Sequence, residues 1–383
     1  MRFLSKIGII SIEMQKGGHL LEKRSIFRGA MLGLAVGDAM GNGIDRCTLE
    51  DICMNYGPNG LLGYDLINGY AEVTSYTQLA AFCANGILLG LTRGKLGGDK
   101  TLLVRYIGLA LREWSRSQHF AEEERNFCWL STVPELKRRR CMDTRLLDAL
   151  SRSLGTVENP AYRSNSPSAL TTVIPLALMA QDWELTQEQI DRMGAEVVAL
   201  THGDPEAFLT GAALTHMIGC LYQDPQLPLQ EVVQDTIDSV QSQFGRSFAQ
   251  TTRIWELLQY AQILAASDKF TQMQAMERLR CRTASEVLSG VVYALATCHG
   301  DFDAAMITAV NHSGHSAAVG AITGAILGMK MGDDTLPEFY LESLEPAQLL
   351  TELAFDMVQG GPGEALNRVF DDDWDRKYLH GGL

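Results

Sequence analysis

The side chains in this chain that could do chemistry are a few histidines, carboxylates and hydroxyls. His312 and His315 lie three residues apart, a spacing that lets two imidazoles face together on a helix or tight turn and offer nitrogen to a transition metal. A metal site needs three or four ligands, so neutral histidines satisfied by hydrogen bonds are the expectation for this pair. Asp38, inside Gly37-Asp-Ala-Met-Gly41, is expected to cap or brace a helix and loop. The eight cysteines (Cys47, Cys53, Cys83, Cys128, Cys141, Cys220, Cys281, Cys298) are scattered with no CxxC pair. That spacing indicates neither a zinc ribbon nor a disulfide scaffold, and reduced thiols of a cytoplasmic protein are expected. No Walker-type or GxGxxG phosphate loop is present, and spacing alone marks no Ser/His/Asp or Cys/His set.

The elements that must position these groups are helices. Apolar residues recur at three- and four-residue spacing in Leu229 to Val240 and in Trp255 to Leu264, whereas strand-like alternation is scarce. Asp204-Pro205, Asp224-Pro225 and Gly300-Asp301 mark helix boundaries. Two segments carry glycine at every fourth position: Gly29, Gly33, Gly37 and Gly41, then Gly320, Gly324 and Gly328. Each glycine inside a helix costs about 1 kcal/mol relative to alanine. A bare stripe at this spacing lets a neighbouring backbone approach closely, which predicts two buried central helices in tight contact. No Gly/Ser/Pro linker divides the chain. Residues 1–25 read as a leader, disordered or preceding the true start, residues 26–332 as the main domain, and residues 333–383 as a helical extension packed on it.

The formal net charge of −14 argues against a nucleic-acid binder, which presents a basic face to phosphates. The one basic run, Lys137 to Arg140, is read as a solvated helix end or loop, with a phosphate or acidic-partner site as the alternative. The longest uncharged segment, Ala304 to Met329, is interrupted by Asn311 to Ser316, so no membrane span is expected. The acidic end of the chain, with Trp374 and Tyr378 expected exposed, reads as a packed edge or frayed end, with a docking element as the alternative.

Four segments in order carry a resemblance. The run Phe27 to Gly41 is similar to the opening motif of the ADP-ribosylglycohydrolases, the family that includes the dinitrogenase reductase-activating glycohydrolases. Ala71 to Ala80 lies where that family carries Thr-Asp-Asp-Thr. Thr201-His202-Gly-Asp-Pro-Glu-Ala207 resembles its histidine motif, and Thr283 to Leu288 with Asn311 to Gly328 resembles its closing region. The resemblance covers roughly residues 26 to 332. It implies an all-α, many-helix fold with a central cleft, where two magnesium ions cleave the glycosidic bond of ADP-ribosyl groups. Carried over by position, the ligand sites fall on Thr74, Ser75 and Tyr76, then on His315, Ala317 and Ala318. Only Thr74 keeps the family identity, and all four carboxylates are replaced. Magnesium needs hard oxygen ligands, usually with a carboxylate to offset its charge. Neutral hydroxyls, an imidazole and two alanines do not supply that, so no metal or other cofactor is expected, although magnesium is implied for the family.

Asp45 falls where relatives carry a glutamate that gates or assists catalysis, and it is the best remaining candidate for a general base. His202 is implied to lie near the cleft, and Asn165-Ser166 resembles the family's small-residue cleft loop. The candidate ligand cleft is therefore Asp38, Asp45, Thr74, Asn165, Ser166, His202, His312 and His315. The leading expectation is a non-catalytic family member, a pseudoenzyme that binds ADP-ribose, a related nucleotide or a protein partner such as an ADP-ribosylated protein. One alternative is an ADP-ribosyl hydrolase with magnesium-independent chemistry built on Asp45 and His315. The other is an interaction protein whose cleft Tyr76 plugs. No nucleic-acid or membrane partner is expected, and the oligomeric state is left open.

Overall fold

The computed structural model describes residues 2–93, 101–118, 126–141, 143–360 and 372–380, with the side chains of residues 2–19, 21 and 101 left aside. The order along the chain is α1 (Arg2–Asn42), α2 (Leu49–Tyr56), α3 (Ser75–Arg93), α4 (Thr101–Ser117), α5 (Thr144–Arg152) and α6 (Val173–Ala180). There follow α7 (Gln187–Ala199), α8 (Pro205–Gln223), α9 (Leu229–Phe244), α10 (Gln250–Ala265), α11 (Gln272–Leu279) and α12 (Ala284–Thr297). The chain continues through α13 (Phe302–Val310), α14 (Ser316–Met331), α15 (Glu338–Glu342), α16 (Ala347–Gln359) and α17 (Asp372–Tyr378). Short 3₁₀ turns and two isolated bridges complete it, and no strand forms among the described residues. The all-α expectation holds. No helix among the described residues is long and apolar enough to cross a membrane.

The punctuation read from the sequence acts through capping. Asp204 accepts from the backbone of Glu206 with Pro205 in the first turn of α8, and Asp301 accepts from Ala304 N–H to open α13. Both satisfy N–H groups that have no partner inside their own helix. Asp224 closes α8.

The two glycine stripes meet. Helices α1 and α14 run antiparallel in register, Gly29 against Gly328, Gly33 against Gly324, and Gly37 against Gly320. A Cβ built on any of these six would overlap the carbonyl oxygen of its partner, and at Gly41 it would overlap the backbone of Ala317. The glycines are therefore required by backbone-to-backbone contact, and close Cα–H···O approaches offset their conformational cost. Helices α3, α12, α13 and α16 pack around this pair. Every residue of α14 from Ser316 to Met329 is buried. The boundary expected between residues 25 and 26 falls inside α1.

The C-terminal segment departs from expectation in one respect. Trp374 and Tyr378 are buried, at 7% and 0% exposure, rather than exposed. Trp374 Nε1 donates to Thr92 Oγ1 at 3.0 Å, and the Tyr378 hydroxyl donates to Asp356 at 2.7 Å, which seats α17 against α3 and α16. The acidic sequence conceals this, because α17 is too short for a clear amphipathic pattern. The basic run is also occupied internally: Arg138 and Arg140 each bridge Glu72 and Glu345, tying the entry to α3 to the turn before α16.

Backbone overlap makes a direct prediction. Gly324→Ala is expected to cost at least the ~3 kcal/mol at the upper end of overpacking penalties, or to prevent folding. Gly63→Ala, where a Cβ meets nothing within 4 Å, should stay within ~0.5 kcal/mol of the parent. Urea unfolding of the two variants measures the contrast.

Candidate functional site

Two carboxylates at the C-terminal end of α1 organise the site by capping other helices. Asp38 is fully buried and takes four donors from the start of α3. Thr74 N–H and Thr77 N–H reach it at 2.9 and 3.0 Å, and the hydroxyls of the same two threonines at 2.6 Å each. Burial pushes the Asp38 carboxyl above its usual value, while these four bonds act in the opposite direction. Asp38 thus joins the Thr74 hydroxyl, which accepts Tyr76 N–H, in capping the start of α3, and all its acceptor capacity turns inward.

Asp45 does the same for α14. Its Oδ1 accepts Ala317 N–H at 3.1 Å, in the first turn of that helix. Its Oδ2 lies 3.3 Å from Arg46 Nε and 3.8 Å from His315 Nδ1. The Tyr76 hydroxyl meets the same His315 nitrogen at 3.1 Å. The N-termini of α3 and α14 are thereby joined by a short polar chain, Tyr76–His315–Asp45. Tyr76 is buried, and its backbone carbonyl accepts the Thr171 hydroxyl at 2.7 Å. The side chains of His315 and Asp45 each keep 19% exposure, so the chain ends at a solvent-accessible surface.

Burial fixes the protonation states. It raises Asp45 from 3.8 to about 6, against the pull of the Ala317 N–H and the Arg46 charge. It lowers His315 to about 4, helped by Arg46. It holds the Tyr76 phenol well above its usual value, helped by the Asp45 and Asp38 charges. At neutral pH the chain is a neutral phenol, a neutral imidazole and an ionised carboxylate.

The donor set at the implied magnesium positions does not fit that ion. The Thr74 hydroxyl donates to Asp38 and accepts Tyr76 N–H at 3.2 Å. The Tyr76 hydroxyl is engaged with His315, and Ala317 and Ala318 present buried methyl groups. Ser75, half-buried, adds one neutral hydroxyl. Asp45 brings a single carboxylate, committed to a helix N-terminus and an arginine, where a hard divalent ion needs several oxygen ligands.

The other residues named from sequence do not enter the Tyr76–His315–Asp45 chain. His312 is fully buried: its Nε2 faces Ala309 O at 3.0 Å and its Nδ1 accepts Gly314 N–H at 3.0 Å. It shapes the turn before α14 and does not join His315 as a ligand. His202 is also buried, bonded to the Thr201 hydroxyl at 2.9 Å and edge-on to Tyr162. Burial lowers both rings to about 4. Ser166 begins the 3₁₀ turn Pro167–Thr172, its hydroxyl 2.8 Å from that of Ser168. Asn165 Nδ2 donates to Glu206 at 3.1 Å. Sequence reasoning missed the network around Glu206, which gathers Asn165, Thr283, Ser285 and Arg253. Arg253 continues to Glu286 at 3.0 Å, so a single cation ties together two of the motif segments. Arg253 lies outside all of those segments, and no local signal marks it.

Asp45 predicts a pH dependence. Below pH ~4 its carboxyl is protonated in both folded and unfolded chains, and above pH ~6 it is ionised in both. Between these limits only the folded chain holds the proton, so stability falls as pH rises through the window, by about 3 kcal/mol in all. Asp45→Asn keeps an acceptor for Ala317 N–H and removes this loss. Its stability relative to the parent should therefore rise from pH 4 to pH 6 and then level off, as read by urea unfolding at each pH.

Three comparisons with known proteins bear on the family and the fold. The model of the ADP-ribosylglycohydrolase family matches residues 20–366, which carries the likeness past residue 332 into the C-terminal helices. An uncharacterised protein of Archaeoglobus fulgidus is 25% identical over 341 residues, covering 87% of this chain and 96% of its own length. A solved structure described as an ADP-ribosylglycohydrolase-related protein complex superposes with a TM-score of 0.52 at 19% identity, covering 88% of this chain and 99% of that one. The last shows a shared fold, and the first spans most of the sequence. The chain belongs to the ADP-ribosylglycohydrolase family.

Proposed function

We propose that this family member no longer uses two magnesium ions to hydrolyse ADP-ribosyl bonds and instead binds ADP-ribose, a related nucleotide or an ADP-ribosylated protein in the old cleft. The observation that carries the reading is the bond between the Tyr76 hydroxyl and His315 Nδ1. Two positions where the resemblance places metal ligands satisfy each other directly. A phenol far larger than an aspartate occupies the gap between the two helix N-termini, and no cluster of carboxylates is left to hold an ion there. Asp45 and His315 remain partly exposed and offer a carboxylate acceptor and a neutral imidazole to a ribose or a base.

A second reading has one observation in its favour. Asp45, raised to about 6 by burial, lies 3.8 Å from His315, a separation and protonation suited to general-base chemistry without a metal. Activity of that kind would be insensitive to chelator and abolished by Asp45→Asn.

Calorimetric titration of ADP-ribose into the protein, first in chelator and then with excess magnesium, tests the proposal. Micromolar binding that is the same in both conditions is the expected result. Binding that appears only with magnesium would overturn it, and no binding in either condition would favour a cleft closed by Tyr76. Release of free ADP-ribose from an ADP-ribosylated peptide in chelator would favour the second reading.

A further inference from the structure

A second cluster of metal-ligating side chains lies on the face formed by α7, α8 and α9 and shares no residue with the cleft. His216 and Cys220 are four apart on α8, which places both on one side of that helix. Asp235 approaches them from α9. Among the described residues these three are the one histidine–cysteine–carboxylate group whose ligand atoms all lie within 4.8 Å of one another. His216 Nε2 is 3.1 Å from Asp235 Oδ2, and Cys220 Sγ is 3.5 Å from the same oxygen. Tetrahedral zinc with nitrogen and oxygen ligands at about 2.0–2.1 Å and sulfur at about 2.3 Å has edges of about 3.3–3.6 Å. The Cys220–Asp235 separation falls in that range, the His216–Asp235 separation lies just below it, and all three ligand atoms are close enough to share one ion after a small adjustment of the exposed Asp235.

The surroundings of the imidazole are built to hold it for that purpose. Behind His216, the fully buried Asp191 of α7 accepts its Nδ1–H at 2.7 Å. Asp191 is fixed in turn by Gln187 Nε2 at 2.8 Å, the Ser239 hydroxyl at 2.9 Å and Gln243 Nε2 at 3.1 Å. A carboxylate holding the far nitrogen of a ligating histidine fixes its tautomer and ring orientation and raises its basicity. None of this network contributes to the candidate cleft. The outer edge is open, with the Asp235 side chain 65% exposed, which leaves a position for water.

We propose that His216 Nε2, Cys220 Sγ and the Asp235 carboxylate bind one zinc-class transition-metal ion, with Asp191 orienting the imidazole. The mixed nitrogen, sulfur and oxygen donors select zinc or cobalt over magnesium or calcium. Without an ion the imidazole bridges two carboxylates. A bound ion would take the place of the proton between His216 Nε2 and Asp235 and would be held by Cys220 as the thiolate.

Cobalt titration of the chelator-treated, full-length protein, followed by competition with zinc, tests this site. The expected result is one equivalent of cobalt with a thiolate-to-metal charge-transfer band, displaced by zinc. Cys220→Ser should abolish the band and weaken zinc binding at least tenfold. The exposed Asp235→Asn, which leaves the core untouched, should also weaken binding at least tenfold. Asp191→Asn should keep the band and weaken binding by ~10–100-fold. Absence of the band in the parent protein, or cobalt and zinc binding unchanged in both Cys220→Ser and Asp235→Asn, would overturn the proposal.

Discussion

Seven glycines bring the backbones of α1 and α14 into direct contact, and the geometry of the candidate site follows from that contact. Helices with ordinary side chains at the interface lie 8–10 Å apart and can slide by a fraction of a turn at modest cost. Here the register is set by atoms that cannot move aside, because six of the glycines meet the carbonyl oxygen of an opposite glycine and Gly41 meets the backbone of Ala317. The last of the contacts, Gly41 against Ala317, brings the C-terminal end of α1 to the N-terminus of α14. The position of Asp45 relative to Ala317 N–H is therefore a consequence of glycines as far away as Gly29 and Gly328.

Asp38 and Asp45 convert that alignment into a site. Each carboxylate serves the start of a helix distant in sequence, so the first turns of α3 and α14 are held side by side at the end of α1. Helix N-termini carry partial positive charge and favour anionic neighbours, which suits a cluster of carboxylates with their counter-ions. In this chain the neighbours are a phenol, an imidazole and two methyl groups. The two capping carboxylates keep the framework together, and Tyr76 packs between the two helix N-termini. A fold can retain its scaffold interactions while the groups that bear the chemistry change, since the two sets of residues are different.

The sequence reveals the first set far better than the second. Glycine spacing, Asp-Pro and Gly-Asp boundaries and helical periodicity are local patterns, and they correspond to the α1–α14 contact, the ends of α8 and the start of α13. Pairings across long stretches of chain leave no such trace. His312 stands three residues from His315, yet backbone contacts turn it into the protein. Arg253 bridges Glu206 and Glu286 from a helix that carries no motif. Trp374 and Tyr378 look solvent-exposed among aspartates, until Thr92 and Asp356 supply their partners. His216 and Cys220 are four apart in a helix that reads as core, and the carboxylates that complete their cluster come from α7 and α9.

The central proposal is that Tyr76 and His315 satisfy each other where the family would place ions. A crystal structure of the protein soaked in manganese, with data collected for anomalous scattering, measures this directly. The predicted result is the Tyr76 hydroxyl on His315, with no anomalous peak between the N-termini of α3 and α14. A peak among Asp45, Thr74 and His315, with Tyr76 swung away, would contradict it.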